Sequence, residues 1–200
     1  MLASINPLGE RSRNQRYPMT VVAYIAGSTV AGAILGGALG FVGAPFAGRE
    51  VAPITTLAVA LLAAVGILFD GRRLGTRVPG PRRQVDENWL VTYRGWVYGA
   101  GFGAQLGLAL VTIVTASATW VAFACALFCA SAPAGVAIGA TFGLARALPI
   151  LAAARVRDPS TLRSLVRRLE RIRPRVAVTT TAVQGAAAVG LVAFAVAKAA

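Results

Sequence analysis

The chain has 200 residues, of which 56% are hydrophobic before its 22 glycines are counted, and only 14% are charged. Such a composition excludes an intrinsically disordered chain, and two cysteines exclude a disulfide-stapled scaffold. The formal net charge of +13 does not read as a nucleic-acid interface, because the arginines cluster between long apolar runs, as they do in the cytoplasmic loops of membrane proteins.

Residues 1–18 are polar and include Arg11, Arg13 and Arg16. The apolar run from Met19 to Gly43 exceeds the core of a signal peptide and predicts a retained first span. Ala44 to Pro53 breaks the pattern, and Ile54 to Phe69 predicts a second span that ends at Asp70. Gly71 to Arg94 carries six arginines, and Pro79 and Pro81 forbid a long helix there.

Gly95 to Ala153 is apolar almost throughout, with breaks at Thr115–Thr119 and Ser131–Gly135. As one straight helix, residues 96–131 would measure about 54 Å, against a hydrocarbon core about 30 Å thick. Charge chooses the topology. Two full spans there would put the eight arginines of residues 155–175 outside, against the positive-inside rule. One net crossing puts both arginine-rich loops, 71–94 and 155–175, inside. Residues 96–131 are therefore expected to form a discontinuous or V-shaped helix pair, which survives at membrane depth only where protein buries it or it lines a cavity. Residues 134–152 predict a span and Val176 to Val196 the last, with the C-terminus outside.

The expected fold is an all-α, polytopic transmembrane helical bundle with about five net crossings. It would form a single integral domain in the cytoplasmic (inner) membrane with a cytoplasmic N-terminus. Residues 158–173 predict an amphipathic interfacial helix capped by Asp158 and Pro159. Leu162, Leu165, Val166, Leu169 and Ile172 share one face; Arg163, Arg167, Arg168 and Arg171 take the other and favour anionic lipid. An orientation determinant is the plainer reading of that helix than a partner-binding one.

Three spans carry glycines four apart: Gly32, Gly36 and Gly40; Gly95, Gly99, Gly103 and Gly107; and Gly135, Gly139 and Gly143. Residues four apart share a helix face, and bare faces let backbones approach closely in lipid. Packing within one chain is the simpler reading; a homo-oligomer or a membrane partner is the alternative. Polar groups at membrane depth are few. Gln105, Thr112, Thr115, Ser117 and Thr119 gather at or near the expected break, where freed backbone groups and hydroxyls form a candidate solute-binding point. Taken singly, such hydroxyls bond back to their own helix. Arg146 lies inside a span, where it either snorkels or pairs with Asp70.

Cys125 and Cys129 lie four apart, which is not the redox spacing, and the chain has no histidine to complete a metal site. No nucleophile–base arrangement or carboxylate pair is legible. The expectation is a non-enzyme with no catalytic residues, metal or cofactor.

The run Phe142-Gly143-Leu144-Ala145-Arg146-Ala147-Leu148-Pro149-Ile150-Leu151 resembles the fifth span of the CcdA-type cytochrome c biogenesis family, related to the membrane domain of DsbD. Gly95–Thr119 resembles that family's broken fourth span. The likeness covers about residues 95–155 and implies a scaffold of inverted three-span repeats within the amino-acid-exporter-like superfamily. In that family a Pro-Cys motif at the break passes thiol electrons. This chain reads Val114-Thr115-Ala116-Ser117-Ala118-Thr119 there, so the electron-carrying residues do not transfer.

Three functions follow from the sequence. The first is translocation of a small solute or ion through the broken element. The alternative is a membrane scaffold or accessory and assembly subunit with no transport path. A weaker alternative is thiol-redox work through Cys125 and Cys129. In each, the lipid bilayer is the common partner.

Overall fold

The computed structural model describes residues 5–46, 48, 52–70, 88–109 and 117–199. Among them there is no strand. The α-helices are α1 (Pro7–Ser12), α2 (Tyr17–Val42), α3 (Ala52–Asp70), α4 (Trp89–Thr92), α5 (Gly95–Leu108), α6 (Ala118–Phe128), α7 (Ala132–Ala147) and α8 (Pro159–Ala199). A 3-10 segment, Leu148–Arg155, continues α7. Four helical stretches among the described residues are long and apolar enough to cross a membrane: Tyr17–Val42, Pro53–Asp70, Ala132–Arg155 and Pro159–Ala197. The molecule is an all-α helical membrane bundle.

Its packing is that of a lipid-solvated protein. Large apolar side chains point outward, including Val22, Ile34, Phe41 and Leu61, while glycine, alanine and serine fill the inside. In lipid, tight backbone contact rather than water exclusion holds helices together.

α2 is the central helix, flanked by α5 and α7. The glycines fix both registers. A Cβ on Gly36 would collide with the Gly135 carbonyl, one on Gly32 with that of Gly139, and one on Gly143 with that of Ser28. Rising numbers on α2 meet falling numbers on α7, so the two are antiparallel. Along the other face, a Cβ on Gly99 would meet Thr20, on Gly103 Tyr24, and on Gly107 Ser28. α5 is therefore parallel to α2. All three predicted ladders lie in these two seams, with Gly40 against Ser131 and Gly95 against Thr20 at their ends.

The stretch 96–131 is divided. α5 stops at Leu108, beside the middle of α2, with Ala109 in the left-handed region at φ 51°. Residues 110–116 lie outside the described residues. α6 then runs to Phe128, where Leu127 meets Gly43 just past the end of α2. Together α5 and α6 run the length of α2, and the glycine ladder ends where α5 does. The division between Leu108 and Ala118 overlaps the stretch of hydroxyls that predicts it. Thr119 lies inside the first turn of α6, and Ser117 is its N-cap.

Residues 158–173 and 176–196 are not separate elements but one 41-residue helix, α8, with Pro174 inside it. Proline removes a backbone N–H, and the helix continues through it. Of the five residues on its expected apolar face, Leu162, Leu165 and Leu169 are half-buried while Val166 and Ile172 are exposed, as are Arg163, Arg167, Arg168 and Arg171. α8 packs along α3, where Gln184 meets Ala63 and Gly66, and Gly185 approaches Ile67.

Candidate functional site

Ser117, one of the five residues of the expected solute point, sits in a hydrogen-bonded cluster. Asp70 ends α3, and its carboxylate caps α6: the Ser117 N–H donates to Oδ1 at 2.9 Å and the Ser117 hydroxyl to Oδ2 at 2.7 Å. An anion at a helix N-terminus answers unpaired N–H groups and the positive end of the dipole. Gln184 of α8 donates its Nε2 to the Ala63 carbonyl at 2.9 Å and to Ser117 Oγ at 3.0 Å. Ser117 and Gln184 are 4% and 6% exposed. Gly66 makes the approach feasible, because a Cβ there would lie 2.5 Å from Ser117 Oγ and 2.8 Å from Gln184 Nε2. The cluster ties α3, α6 and α8 together and leaves its own polar groups satisfied.

Of the candidate solute ligands among the described residues, Ser117 joins this cluster. Thr119 is buried in the next turn. Gln105 is half-buried in α5, with no hydrogen bond to the cluster. Thr112 and Thr115 lie outside the described residues. An open cleft of about 680 Å³ adjoins Ser117 between α2, α3 and α6, walled by leucines, Val65, Phe69, Trp120 and Phe123. Its walls are apolar, which suits an acyl chain and not a hydrated solute.

The Asp70–Arg146 pair does not form. Asp70 is committed to Ser117, and the ion pair found among the described residues is Arg13–Glu10. Arg146 lies on α7 over the Phe142 ring, 5.3 Å from its centroid, with its buried Nη1 lacking a hydrogen-bond partner. The two are kept apart because α7 packs on α2 while α3 packs on α8 and α6.

Cys125 and Cys129 are free thiols on α6, and Cys129 Sγ lies 3.0 Å from the Ala126 carbonyl, as a locally bonded small side chain does. No group of three potential metal ligands occurs among the described residues.

A second polar knot sits at the opposite end of α2 and α5. Glu10 is fully buried. Its carboxylate accepts from Arg13 at 2.7 Å, from the Thr20 hydroxyl at 2.6 Å and from the Tyr98 hydroxyl at 2.6 Å. α1 is placed for this by Asn6, whose side chain accepts the Gly9 N–H at 2.9 Å. Gln15 accepts the Gly95 N–H at 2.9 Å, capping α5 from outside. The Arg13 guanidinium is 5.9 Å from the Tyr98 ring centroid. Burial works against its charge, but bonding to Glu10 and Tyr98 outweighs that and raises its pKa above the ordinary value. Beneath the knot lies the main core cluster, with Ile5, Val21, Tyr24, Tyr98, Phe102 and Ile150. Trp89 of α4 stacks on Phe102 at 5.9 Å.

The polar stretch 1–18 does not by composition single out Glu10. The available signal was Asn6-Pro7 with an acid three residues beyond the proline, an N-cap and first-turn pattern. Gln184 carries no local sign that it partners Ser117, because the two are 67 residues apart.

No family profile matches the chain, and no solved structure matches it. Two curated proteins do. The chain is 31% identical over 133 residues to the methylamine utilization protein MauF of Paracoccus versutus, covering 64% of this chain and 46% of that protein. It is 32% identical over 136 residues to the MauF of Paracoccus denitrificans, covering 66% of this chain and 47% of that protein. The chain thus spans slightly less than half the length of these relatives.

Proposed function

We propose that the protein is a non-enzymatic membrane accessory or assembly subunit that serves methylamine utilization, and not a solute carrier. The observation that supports this best is the closure of its centre. Where a conduit would need space, α2 meets α5 and α7 backbone to backbone, and among the described residues Ser117, Asp70 and Gln184 are spent on one another. The likeness to two methylamine utilization proteins supports the pathway. In this reading the bundle lies in the inner membrane with a cytoplasmic N-terminus. α5 and α6 make one net crossing, and the arginine-rich segments 71–94 and 155–175 face the cytoplasm. The partner is another membrane protein or a second copy of the chain. The scaffold is a cysteine-poor relative of the CcdA-type fold, with the packing kept and the Pro-Cys chemistry absent.

The test is a chromosomal deletion grown with methylamine as sole nitrogen source, compared with ammonium. Loss of growth on methylamine alone, restored by the wild-type chain, with unchanged uptake of labelled methylamine, supports the reading. Loss of uptake returns the protein to the transport class, and unimpaired growth removes it from the pathway.

A further inference from the structure

We propose that the cleft between α1, the start of α2 and the link into α8 is a binding site for the phosphate of an anionic phospholipid. The cleft measures about 700 Å³, and Arg11, Arg16 and Arg157 line it. Each arginine comes from a different element: the last turn of α1, the N-cap of α2, and the residues between the 3-10 segment and α8. All three are exposed, and none has an ion-pair partner among the described residues. Among the described residues no acidic side chain lines the cleft. The two nearest acids in sequence are already committed: Glu10 to Arg13, Thr20 and Tyr98, and Asp158 to the start of α8. Three guanidinium groups gathered without a counter-charge repel one another, and an anion relieves that repulsion.

The walls are held rigidly enough to serve as a site. The Tyr17 hydroxyl donates to the Ile150 carbonyl at 3.2 Å, tying the start of α2 to the segment that delivers Arg157. Val156 and Ala153 are buried beside it, and Glu10 anchors α1 from beneath. The N-terminus of α2, a 26-residue helix, opens into the same cleft at Tyr17, Pro18 and Met19. Its dipole adds to the positive field, and guanidinium groups engage phosphate oxygens in pairs. Met19, on the cleft wall, is 55% exposed, as is fitting at a lipid boundary. Phosphate among arginines with an apolar sill beside it is the chemistry of a phospholipid headgroup. Free phosphate shares the charge but has no use for the sill.

The experiment uses the full chain, purified in detergent and delipidated, with native mass spectrometry as readout. Phosphatidylglycerol or phosphatidylcholine is added to separate samples, and inorganic phosphate to a third. Wild type is expected to retain one phosphatidylglycerol and no phosphatidylcholine. The triple variant R11Q/R16Q/R157Q loses that lipid, with affinity reduced about a hundredfold. A charge-matched control, R163Q/R167Q/R171Q on the exposed face of α8, keeps it. Arg157→Gln alone, which leaves α1 and its Glu10 anchor unaltered, gives a partial loss and guards against misfolding of the triple variant. Stabilisation by inorganic phosphate without lipid retention, abolished by the same triple variant, overturns the lipid assignment and leaves an anion site. Retention unchanged in the triple variant, or lost equally in the control, overturns the site altogether.

Discussion

The Ser28 hydroxyl donates to the Gly143 carbonyl at 2.7 Å, across the seam where α2 and α7 run antiparallel. A side chain as short as serine can reach a backbone carbonyl on a neighbouring transmembrane helix only when the two backbones nearly touch. Gly32, Gly36, Gly139 and Gly143 allow that approach, and the hydroxyl converts it into a specific register.

Substitutions on this seam and off it should therefore differ in sign. Gly36→Ala drives a methyl into the Gly135 carbonyl, and separating the helices should cost about 1–3 kcal/mol. Gly190 has nothing within 4 Å of an added Cβ, and Gly190→Ala should stabilise by about 0.4–1 kcal/mol through the unfolded chain. Denaturant titration of helicity in detergent measures both.

At the junction of α3, α6 and α8, Ser117→Ala removes the hydroxyl shared by Asp70 and Gln184. The buried amide and carboxylate each lose a partner, at a cost of about 1–3 kcal/mol. Hydrogen exchange should show the loss concentrated in the first turn of α6, while the α2–α7 seam keeps its protection. Uniform loss across the bundle would place Ser117 in a different role.

Glu10→Gln leaves the Arg13 guanidinium without its counter-charge. Arg13 is 24% exposed, so the expected cost sits near the low end for an orphaned buried charge, about 3 kcal/mol. The double variant Glu10→Gln with Arg13→Gln should cost less than the sum of the two single changes, because they share one interaction. A thermal-unfolding cycle over the four proteins checks this.

Asp158 accepts from the Thr161 N–H at 2.8 Å and from the hydroxyls of Ser160 and Thr161. Those bonds hold its carboxyl down at about 2, from an ordinary 3.8. A depressed acid supports the fold above its ordinary value and loses that support as pH falls through the lowered one. Amide protection at the start of α8 should persist on acidification past the ordinary carboxylate range and fail near pH 2. In Asp158→Ala that pH dependence should be gone.

Much of this architecture is legible in the chain because lipid leaves few choices. Long apolar runs must be helices, and glycines four apart must lie on one face. That places all three ladders, though not which ladder meets which. Their pairing through α2 depends on the direction of α5, which no local pattern records. Pro174 looks like a boundary in sequence, yet α8 runs through it, because one missing N–H is a small loss in a 41-residue helix. The candidate site was legible only in part. Ser117 stands out as a hydroxyl at a break, but Asp70 reads as a span end until α6 is seen to begin against it. Arg146 reads as the partner of that same acid, and only the separation of α7 from α3 shows that Asp70 does not reach it.

The most direct test of a closed, non-transporting bundle is thiol accessibility at the break. Single cysteines at Ser117, Thr119 and Gln184 would be placed in a Cys125→Ser, Cys129→Ser background, with Arg163→Cys as an exposed control. A membrane-impermeant maleimide would be applied to intact cells and to inside-out vesicles. A dry cluster predicts no labelling of the three buried positions from either side, while the control reacts in the vesicles. Labelling of Ser117→Cys or Gln184→Cys from either side, blocked by an added solute, would contradict it and establish a water-filled path.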